Sequence, residues 1–153
     1  MAPEDRGLGV RIPPPVMVGA AILGAWLLRR AAPLPLGAAL PVPGIIVLLA
    51  ALALIGWALL VMVRAGTDPR PDKPDAALVE AGPFRISRNP IYLGFVLAAA
   101  GIALRWGDPW GWLAVLASLT VLDRLVIARE EAYLAARFGA AYDAYRARVR
   151  RWL

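Results

Sequence analysis

Two polar stretches in the second half of the chain carry the side chains best suited to chemistry. The first places Arg88 and Asn89 directly before Pro90, and the second contains the acidic pair Glu130 and Glu131. Arginine can bind a carboxylate through two parallel hydrogen bonds, and a glutamate attracts a cation. Four tyrosines lie near the same stretches: Tyr92, Tyr133, Tyr142 and Tyr145. Because aromatic rings attract cations over their faces, these residue types predict a pocket for a zwitterionic or cationic small molecule.

The composition excludes several other kinds of site. The chain of 153 residues contains no cysteine and no histidine, which excludes disulfides, thiolate nucleophiles, Cys/His zinc sites and acid–base catalysis by histidine. No glycine-rich G-x-G-x-x-G motif follows a strand, so a Rossmann-type cofactor domain is excluded. The net charge is +6, but the basic residues lie between apolar runs rather than on one polar face. We therefore expect no nucleic-acid partner.

The elements that must position these residues are membrane helices. Hydrophobic residues make up 60% of the chain, compared with about 45–50% in soluble domains, and a soluble domain of this size cannot bury that much apolar surface. No run alternates with the period of a barrel strand. We predict one all-α integral membrane domain over residues 1–153, with four transmembrane helices at about 12–28, 44–63, 90–104 and 109–128, since about 20 residues cross a bilayer core.

The distribution of basic residues predicts the orientation. With the N-terminus inside, the outer loops contain only Arg29, Arg30 and Arg105. The inner side then contains the rest: Arg6, Arg11, Arg64, Arg70, Lys73, Arg85, Arg88 and the Arg-rich C-terminus. The positive-inside rule therefore predicts two cytosolic termini. The composition is typical of a GC-rich prokaryotic genome, which indicates the inner (plasma) membrane of a bacterium.

The first apolar run has a second interpretation. Arg6 and Arg11 precede a short apolar stretch, as in a cleaved signal peptide. The pair Arg29 and Arg30, directly after the run, is unusual before a cleavage site. The pattern therefore favours a retained span.

The C-terminal stretch is predicted to form an amphipathic helix on the cytosolic side. Its apolar residues recur at steps of four and three: Leu134, Phe138, Ala141, Tyr145, Val149 and Trp152. Arginines between them suit an anionic leaflet, and Gly139 is expected to divide the helix into two. Asp123 lies inside the preceding apolar run, where a charge usually faces a cavity or a partner.

Two sequence blocks in the second half carry a family resemblance. They are GPFRISRNPIYLG, from Gly82 to Gly94, and REEAYLAARFGAAYDAYRARVRRWL, which ends the chain. In order and spacing they resemble the isoprenylcysteine carboxyl methyltransferase family and its relatives among phospholipid N-methyltransferases. That family has G-P-Y/F-R-x-x-R-H-P-x-Y-x-G, then an E-E pair, an F-G-x-x-Y-x-x-Y stretch and a V-P-R-W ending. Asn89 replaces the family histidine and Arg150 replaces the proline; asparagine can form hydrogen bonds but cannot carry a proton near neutral pH.

The resemblance implies S-adenosylmethionine as methyl donor and residues 82–153 as the cofactor-binding half. It places the cofactor's amino group near Glu130 and Glu131, its carboxylate near Arg88, and its sulfonium or adenine against Tyr92 and Tyr142. The implied cofactor-binding residues are Gly82, Arg88, Asn89, Pro90, Tyr92, Leu93, Gly94, Glu130, Glu131 and Tyr142. The implied catalytic residues are Glu131, as a base, and Arg151, which would orient an anionic acceptor.

The remaining hypotheses differ in the chemical group that would accept the methyl group. A carboxylate is ionised at neutral pH and needs no base, whereas a lipid amine must lose a proton and no histidine is present to take it. The sequence therefore favours a carboxylate on a lipophilic small molecule, with membrane lipid as the other partner. A lipid amine or thiol acceptor remains an alternative, as does a noncatalytic scaffold that binds anionic lipid. A small transporter is less favoured, because the first three spans contain no charged residue.

Overall fold

Prolines begin the main helices of this protein. The structure is a computed structural model that describes residues 12–34, 36–67 and 77–153. A proline at the first helical position is favourable because the missing N–H would have no partner there. The apolar helices are α1 (Pro14–Ala31), α2 (Pro41–Arg64), α3 (Pro90–Trp106) and α4 (Pro109–Val121). The described residues contain no strand, which confirms the predicted all-α class.

The chain after α4 continues as a helix into the polar region. A π-helical turn, Leu122–Ile127, connects α4 to α5 (Ala128–Phe138), so that one helix of 30 residues runs from Pro109 to Phe138. Gly139, with a φ of +49°, ends it. The last helix, α6, covers Ala140–Arg148. The predicted division of the C-terminal helix at Gly139 is therefore confirmed.

Two helices in the described part of the chain are long and apolar enough to cross a membrane. They are α2 and the continuous helix Pro109–Phe138, and α3 is a shorter apolar helix. Along α2, Leu49 and Leu52 are 61% and 62% exposed, as expected for side chains that face lipid rather than water. These helices contain the predicted spans 44–63 and 109–128, and α1 and α3 coincide with the other two. A crossing by all four remains a prediction.

The helices form an antiparallel bundle in which α3 packs between α2 and α4, and α1 packs against α4. At one end, the connector after α1 meets the turn between α3 and α4, where the Leu40 N–H donates to the Leu104 carbonyl at 2.8 Å. The start of α1, the end of α2, the start of α3 and the C-terminal segments lie at the opposite end. A buried cluster of Val18, Leu122 and Val126 packs the helices together toward that second end.

Several residues in the predicted inner loops fall outside the described ranges: Arg6, Arg11, Arg70 and Lys73. The basic residues that the structure does describe divide between the two ends as the sequence predicts. Arg29, Arg30 and Arg105 follow or end helices at the connector end, whereas Arg64, Arg85 and Arg88 lie at the other.

Candidate active site

The C-terminal tail docks onto the turn that precedes α3, which brings the two sequence blocks together. The Arg88 N–H donates to the Arg150 carbonyl at 2.9 Å. Two side chains of the same turn, Ser87 and Asn89, donate to the Arg151 carbonyl at 3.3 Å and 3.0 Å. Asn89 thus has a positioning contact at the place where the related family has histidine, since its amide holds the backbone of the tail.

A cluster of four charged side chains lies beneath this docked tail. Glu131 accepts from Arg88 at 2.6 Å and from Arg151 at 2.5 Å. Arg151 also contacts Asp123 at 3.2 Å, and the Trp152 indole donates to the same carboxylate at 3.2 Å. The hydrogen bond to Glu131, together with both nearby carboxylates, raises the pKa of Arg151. The carboxylate of Asp123, which the sequence predicted to face a cavity or a partner, therefore faces the C-terminal tail.

The π-helical turn explains how one arginine reaches both carboxylates. Asp123 and Glu131 are eight positions apart, and in a regular α-helix their directions would differ by about 80°. A π-helical turn accommodates one additional residue, which reduces this difference to about 20°. Both carboxylates consequently face the tail, and Arg151 binds them together.

The guanidinium of Arg88 is tied to the protein through both of its terminal nitrogens. Its terminal nitrogen Nη1 donates to the carbonyls of Arg146 and Val149, each at 3.2 Å, while Nη2 binds Glu131. Its Nε is buried and has no hydrogen-bond partner among the described residues. An unpaired buried donor on a charged group carries a substantial desolvation cost, and because this nitrogen has almost no accessible surface, it does not open into solvent or a cavity.

A cavity of about 360 Å³ lies beside the charged cluster. One side is polar and contains Arg88, Asn89, Tyr92 and Glu130. The Tyr92 hydroxyl donates to Glu130 at 2.8 Å, which fixes this carboxylate at the cavity wall. The other side is apolar and comes from three helices and the turn before α3: Pro13, Pro14, Pro15, Ile55, Leu59, Met62, Phe84, Pro90, Ile91 and Phe95. The cavity can therefore hold a molecule with a charged and an apolar part.

Two tyrosines of α6 support the site from behind. Tyr142 is 1% exposed and Tyr145 is 3% exposed, and their rings meet edge to face at 6.2 Å. The Tyr145 hydroxyl donates to the Phe84 carbonyl at 2.7 Å, which ties α6 to the turn before α3. Burial, reinforced by nearby Glu131, raises the pKa of Tyr142 to about 12, so its hydroxyl remains neutral at physiological pH.

The structure divides the residues predicted for the site into three groups. Arg88, Asn89, Pro90, Tyr92 and Glu130 line the cavity. Glu131 and Arg151, the predicted catalytic pair, bind each other in the cluster behind its wall.

The residues of the third group do not line the cavity, and three of them pack closely against neighbouring elements. Gly82 and Gly94 approach α2: a Cβ at Gly94 would lie 2.4 Å from the Ile55 side chain, and one at Gly82, whose φ is +57°, would lie 2.8 Å from Val61. Leu93 lies on α3 outside the cavity lining, and Tyr142 is buried against Tyr145. Their cofactor-binding roles remain predictions.

Sequence reasoning missed the apolar side of the cavity. In the sequence, Pro13, Pro14 and Pro15 indicate no more than the start of a helix, and Ile55, Leu59 and Met62 are indistinguishable from other residues of an apolar span. Spacing along one helix cannot show which apolar residues of three helices converge. The position of Asp123 within an apolar run was the only sequence signal for its contact with the tail.

The bundle and its half-polar cavity at one end define a helical protein with a site for an amphiphilic ligand. A family model for phospholipid methyltransferases matches residues 33–141, and the chain belongs to this family. It is also 40% identical over 63 residues to an uncharacterized protein of Haemophilus influenzae, a match that covers 41% of this chain and 100% of that protein. No solved structure matches. The family assignment supports the resemblance found in the sequence and indicates a membrane methyltransferase.

Proposed function

We propose that this protein is an integral membrane methyltransferase that transfers the methyl group of S-adenosylmethionine to a lipophilic acceptor. The observation that carries the proposal is the cavity whose polar wall contains Arg88 and Glu130 and whose other wall is apolar. Its volume of about 360 Å³ lies within the usual range for small-molecule sites. Membership of the phospholipid methyltransferase family supports the reaction class.

The residues of the polar wall fit the cofactor's charges. S-adenosylmethionine has an anionic carboxylate, a cationic amino group and a cationic sulfonium, and it supplies an electrophilic methyl group when bound. Arg88, whose side chain lines the cavity, would attract the carboxylate. Glu130, held by Tyr92, would attract a cationic group, and the ring of Tyr92 adds a cation–π contact.

The cluster behind the wall would keep these groups in place. Methyl transfer is an in-line displacement, for which alignment and the exclusion of water are the main contributions a protein can make. Glu131 fixes the Arg88 guanidinium at 2.6 Å, and Arg151 fixes Glu131 in turn. In this proposal Glu131 and Arg151 act chiefly as positioning residues.

The placement of the apolar wall supports access from the bilayer. We propose that α1 and α3 cross the membrane together with α2 and the helix that begins at Pro109. At 1.5 Å per residue, their 18 and 17 residues span about 26 Å, close to the hydrocarbon core of about 30 Å. The cavity then lies at the leaflet facing the cytosol, between α1, α2 and α3, where a lipid-like acceptor can approach sideways.

For the acceptor we propose a carboxylate, which is already ionised at neutral pH and requires no base. A second candidate is the amine of a phospholipid. It is favoured by the family match and by the position of Glu130 on the cavity wall, where this carboxylate could attract an ammonium group and accept its proton. In both cases the acceptor's apolar part would lie against Ile55, Leu59 and Phe95.

Calorimetric binding of S-adenosylmethionine to the full chain in detergent tests the cofactor. We expect micromolar binding that Glu130→Gln weakens about tenfold, the effect of losing one charge-assisted contact. Glu80→Gln is the matched control, because Glu80 is an acid outside the cavity that pairs with exposed Arg148. No binding by folded protein at millimolar cofactor, or an equal loss in the control, would contradict the proposal.

Labelled methyl transfer in proteoliposomes distinguishes the acceptors. The probes are a prenyl thioether carboxylate and phosphatidylethanolamine, each supplied with cofactor that carries a radioactive methyl group. A methyl ester releases radioactive methanol in alkali, whereas an N-methyl group survives it. Radioactivity that alkali releases from the prenyl thioether carboxylate supports a carboxylate acceptor. Radioactivity that stays on phosphatidylethanolamine in alkali would contradict this and identify an amine acceptor.

A further inference from the structure

A second cavity, of about 430 Å³, lies at the end of the bundle opposite the candidate active site. We call it the connector cavity, because the segment between α1 and α2 forms one of its walls. Its charged lining residues are Arg29, Arg30 and Asp108, and Trp106 adds an aromatic wall. Two positive charges thus face one negative charge. Neither the methyltransferase reaction nor the sequence blocks that resemble the family involve these residues.

Contacts on both arginines hold them at this cavity. The Nε of Arg29 donates to Asp108, and its guanidinium lies 5.5 Å from the centre of the Trp106 ring. The guanidinium of Arg30 lies 5.1 Å from the centre of the Trp26 ring. A cation–π contact uses no N–H donor of the guanidinium, so these donors can still bind an oxyanion. The bond to Asp108 engages Nε and does not engage the two terminal nitrogens of Arg29.

Asp108 neutralises the two arginines of the cavity only in part, because its carboxylate also caps a helix. Its Oδ1 accepts from the N–H groups of Trp110 and Gly111 at 3.0 Å and 3.2 Å and so caps α4. The carboxylate is therefore shared between the helix terminus and Arg29. Among these contacts Arg30 has only an aromatic partner. Its positive charge is therefore not offset by Asp108, and we expect Arg30 to contribute most to the binding of an anion in the cavity.

An apolar cavity of about 370 Å³ adjoins the connector cavity. The two share Gly37, Gly107 and Asp108, and the second is otherwise lined mainly by apolar residues: Leu36, Ala38, Leu40, Ala103, Leu104, Pro109 and Trp112. A basic cavity beside an apolar one matches the two parts of a phospholipid. Inorganic phosphate would use only the first.

The aromatic residues at this end of the bundle indicate that it lies at the level of the lipid headgroups. Trp26, Trp106, Trp110 and Trp112 lie near the connector, and the Trp110 indole donates to the Ala32 carbonyl at 2.8 Å. Tryptophan is enriched where a membrane helix meets the lipid headgroups. On the cytoplasmic side of membranes, basic pockets between membrane helices bind anionic lipid headgroups, and the connector cavity offers the same donor chemistry at this end.

We propose that the connector cavity binds the phosphate group of an anionic phospholipid, with Arg30 and the terminal nitrogens of Arg29 as its donors and the adjoining cavity against its acyl chains. This lipid belongs to the leaflet opposite the one that we propose for the active site. The site is independent of methyl transfer, and its test measures lipid binding alone.

Native mass spectrometry of the full chain, released from a nonionic detergent, tests this site. The probes are phosphatidylglycerol, diacylglycerol with the same chains, and inorganic phosphate. We expect one phosphatidylglycerol to bind, and Arg30→Gln to raise its apparent Kd about tenfold, as for one lost charge-assisted contact. Arg105→Gln is the matched control, because Arg105 is an exposed arginine at the same end that does not line the cavity; we expect less than a twofold change.

Each other outcome overturns the proposal. Equal weakening by both substitutions would indicate diffuse attraction to the surface rather than a site. Equal binding of diacylglycerol would remove the phosphate as the recognised group. Binding of inorganic phosphate without phosphatidylglycerol would assign the cavity to a free anion. Because Arg30 lies outside the Arg29–Asp108 pair, its substitution leaves that ion pair intact and the variant is expected to fold.

Discussion

At the scale of single residues, Glu131 is the side chain on which the charged cluster depends. It contacts Arg88 and Arg151 and is only 17% exposed, so its removal leaves two partly buried arginines short of a partner. We expect Glu131→Gln to lower the free energy of unfolding by about 2 kcal/mol, less than for a fully buried pair because the cluster is partly solvated. Titration with sodium dodecyl sulfate in mixed micelles measures this free energy.

The matched substitution is Glu80→Gln. Glu80 pairs with Arg148 at 2.7 Å, but the two side chains are 36% and 65% exposed. Pairs of this kind contribute about 0–1 kcal/mol. Equal destabilisation by the two substitutions would show that the cluster is no more than a surface ion pair and that Glu131 does not hold the site together.

The residue types at the site were predictable, but their pairings were not. The sequence identified Arg88, Asn89, Tyr92 and Glu130, all of which line the cavity, because their types and order resemble a family pattern. From the resemblance, Glu131 and Arg151 were predicted to contact the cofactor or the acceptor, whereas in the structure they form an ion pair with each other. Opposite charges that are 20 positions apart carry no sequence signal of contact, since their meeting depends on how the tail folds back.

At the scale of helices, the interface between α2 and α3 depends on glycine. A Cβ at Gly101 would lie 2.7 Å from Leu48 Cγ and 2.9 Å from the Gly44 carbonyl oxygen. Because one of these neighbours is backbone, the helices would have to move apart. We expect Gly101→Ala to destabilise the protein by about 1–3 kcal/mol, the usual cost of overpacking, in the same mixed-micelle titration.

Gly56→Ala on α2 provides the control for this interface. No heavy atom lies within 4 Å of a Cβ at Gly56, and alanine is the better helix former by about 1 kcal/mol. The two substitutions should therefore change the stability in opposite directions. A stabilising Gly101→Ala would mean that the two helices are separated more widely than the structure shows.

The helices differ in how fully the sequence determined them. Apolar runs predicted the starts of α1 to α4 within about three positions, although Pro41, which begins α2, lies before the predicted span, and Gly139 divides the last helix as expected. The π-helical turn Leu122–Ile127 was not predicted. Its residues are ordinary helix formers, and the additional residue in the turn allows Asp123 to reach Arg151. That benefit is tertiary, so periodicity along the helix cannot reveal it.

At the scale of the whole molecule, the two ends of the bundle have different chemistry. One end contains the half-polar cavity, the charged cluster and the docked tail, and the other contains the connector cavity and most of the tryptophans. Between them, helix surfaces expose apolar side chains such as Leu23, Leu49 and Leu116, which are 56%, 61% and 60% exposed. This division predicts a chain that crosses the bilayer four times, with the active-site end in the cytosol.

The absence of native cysteine allows a direct test of this topology. Leu36→Cys and Leu153→Cys place single thiols at positions that are 76% and 66% exposed, in the connector and at the C-terminus. The positive-inside rule predicts that a membrane-impermeant maleimide labels only Leu36→Cys in bacterial spheroplasts and only Leu153→Cys in inside-out vesicles. Labelling of both in detergent is the control for reactivity. The reverse pattern would place the Arg88 site outside the cell, away from cytosolic cofactor, and labelling of both thiols from one side would mean that α3, the shorter apolar helix between the two positions, does not cross.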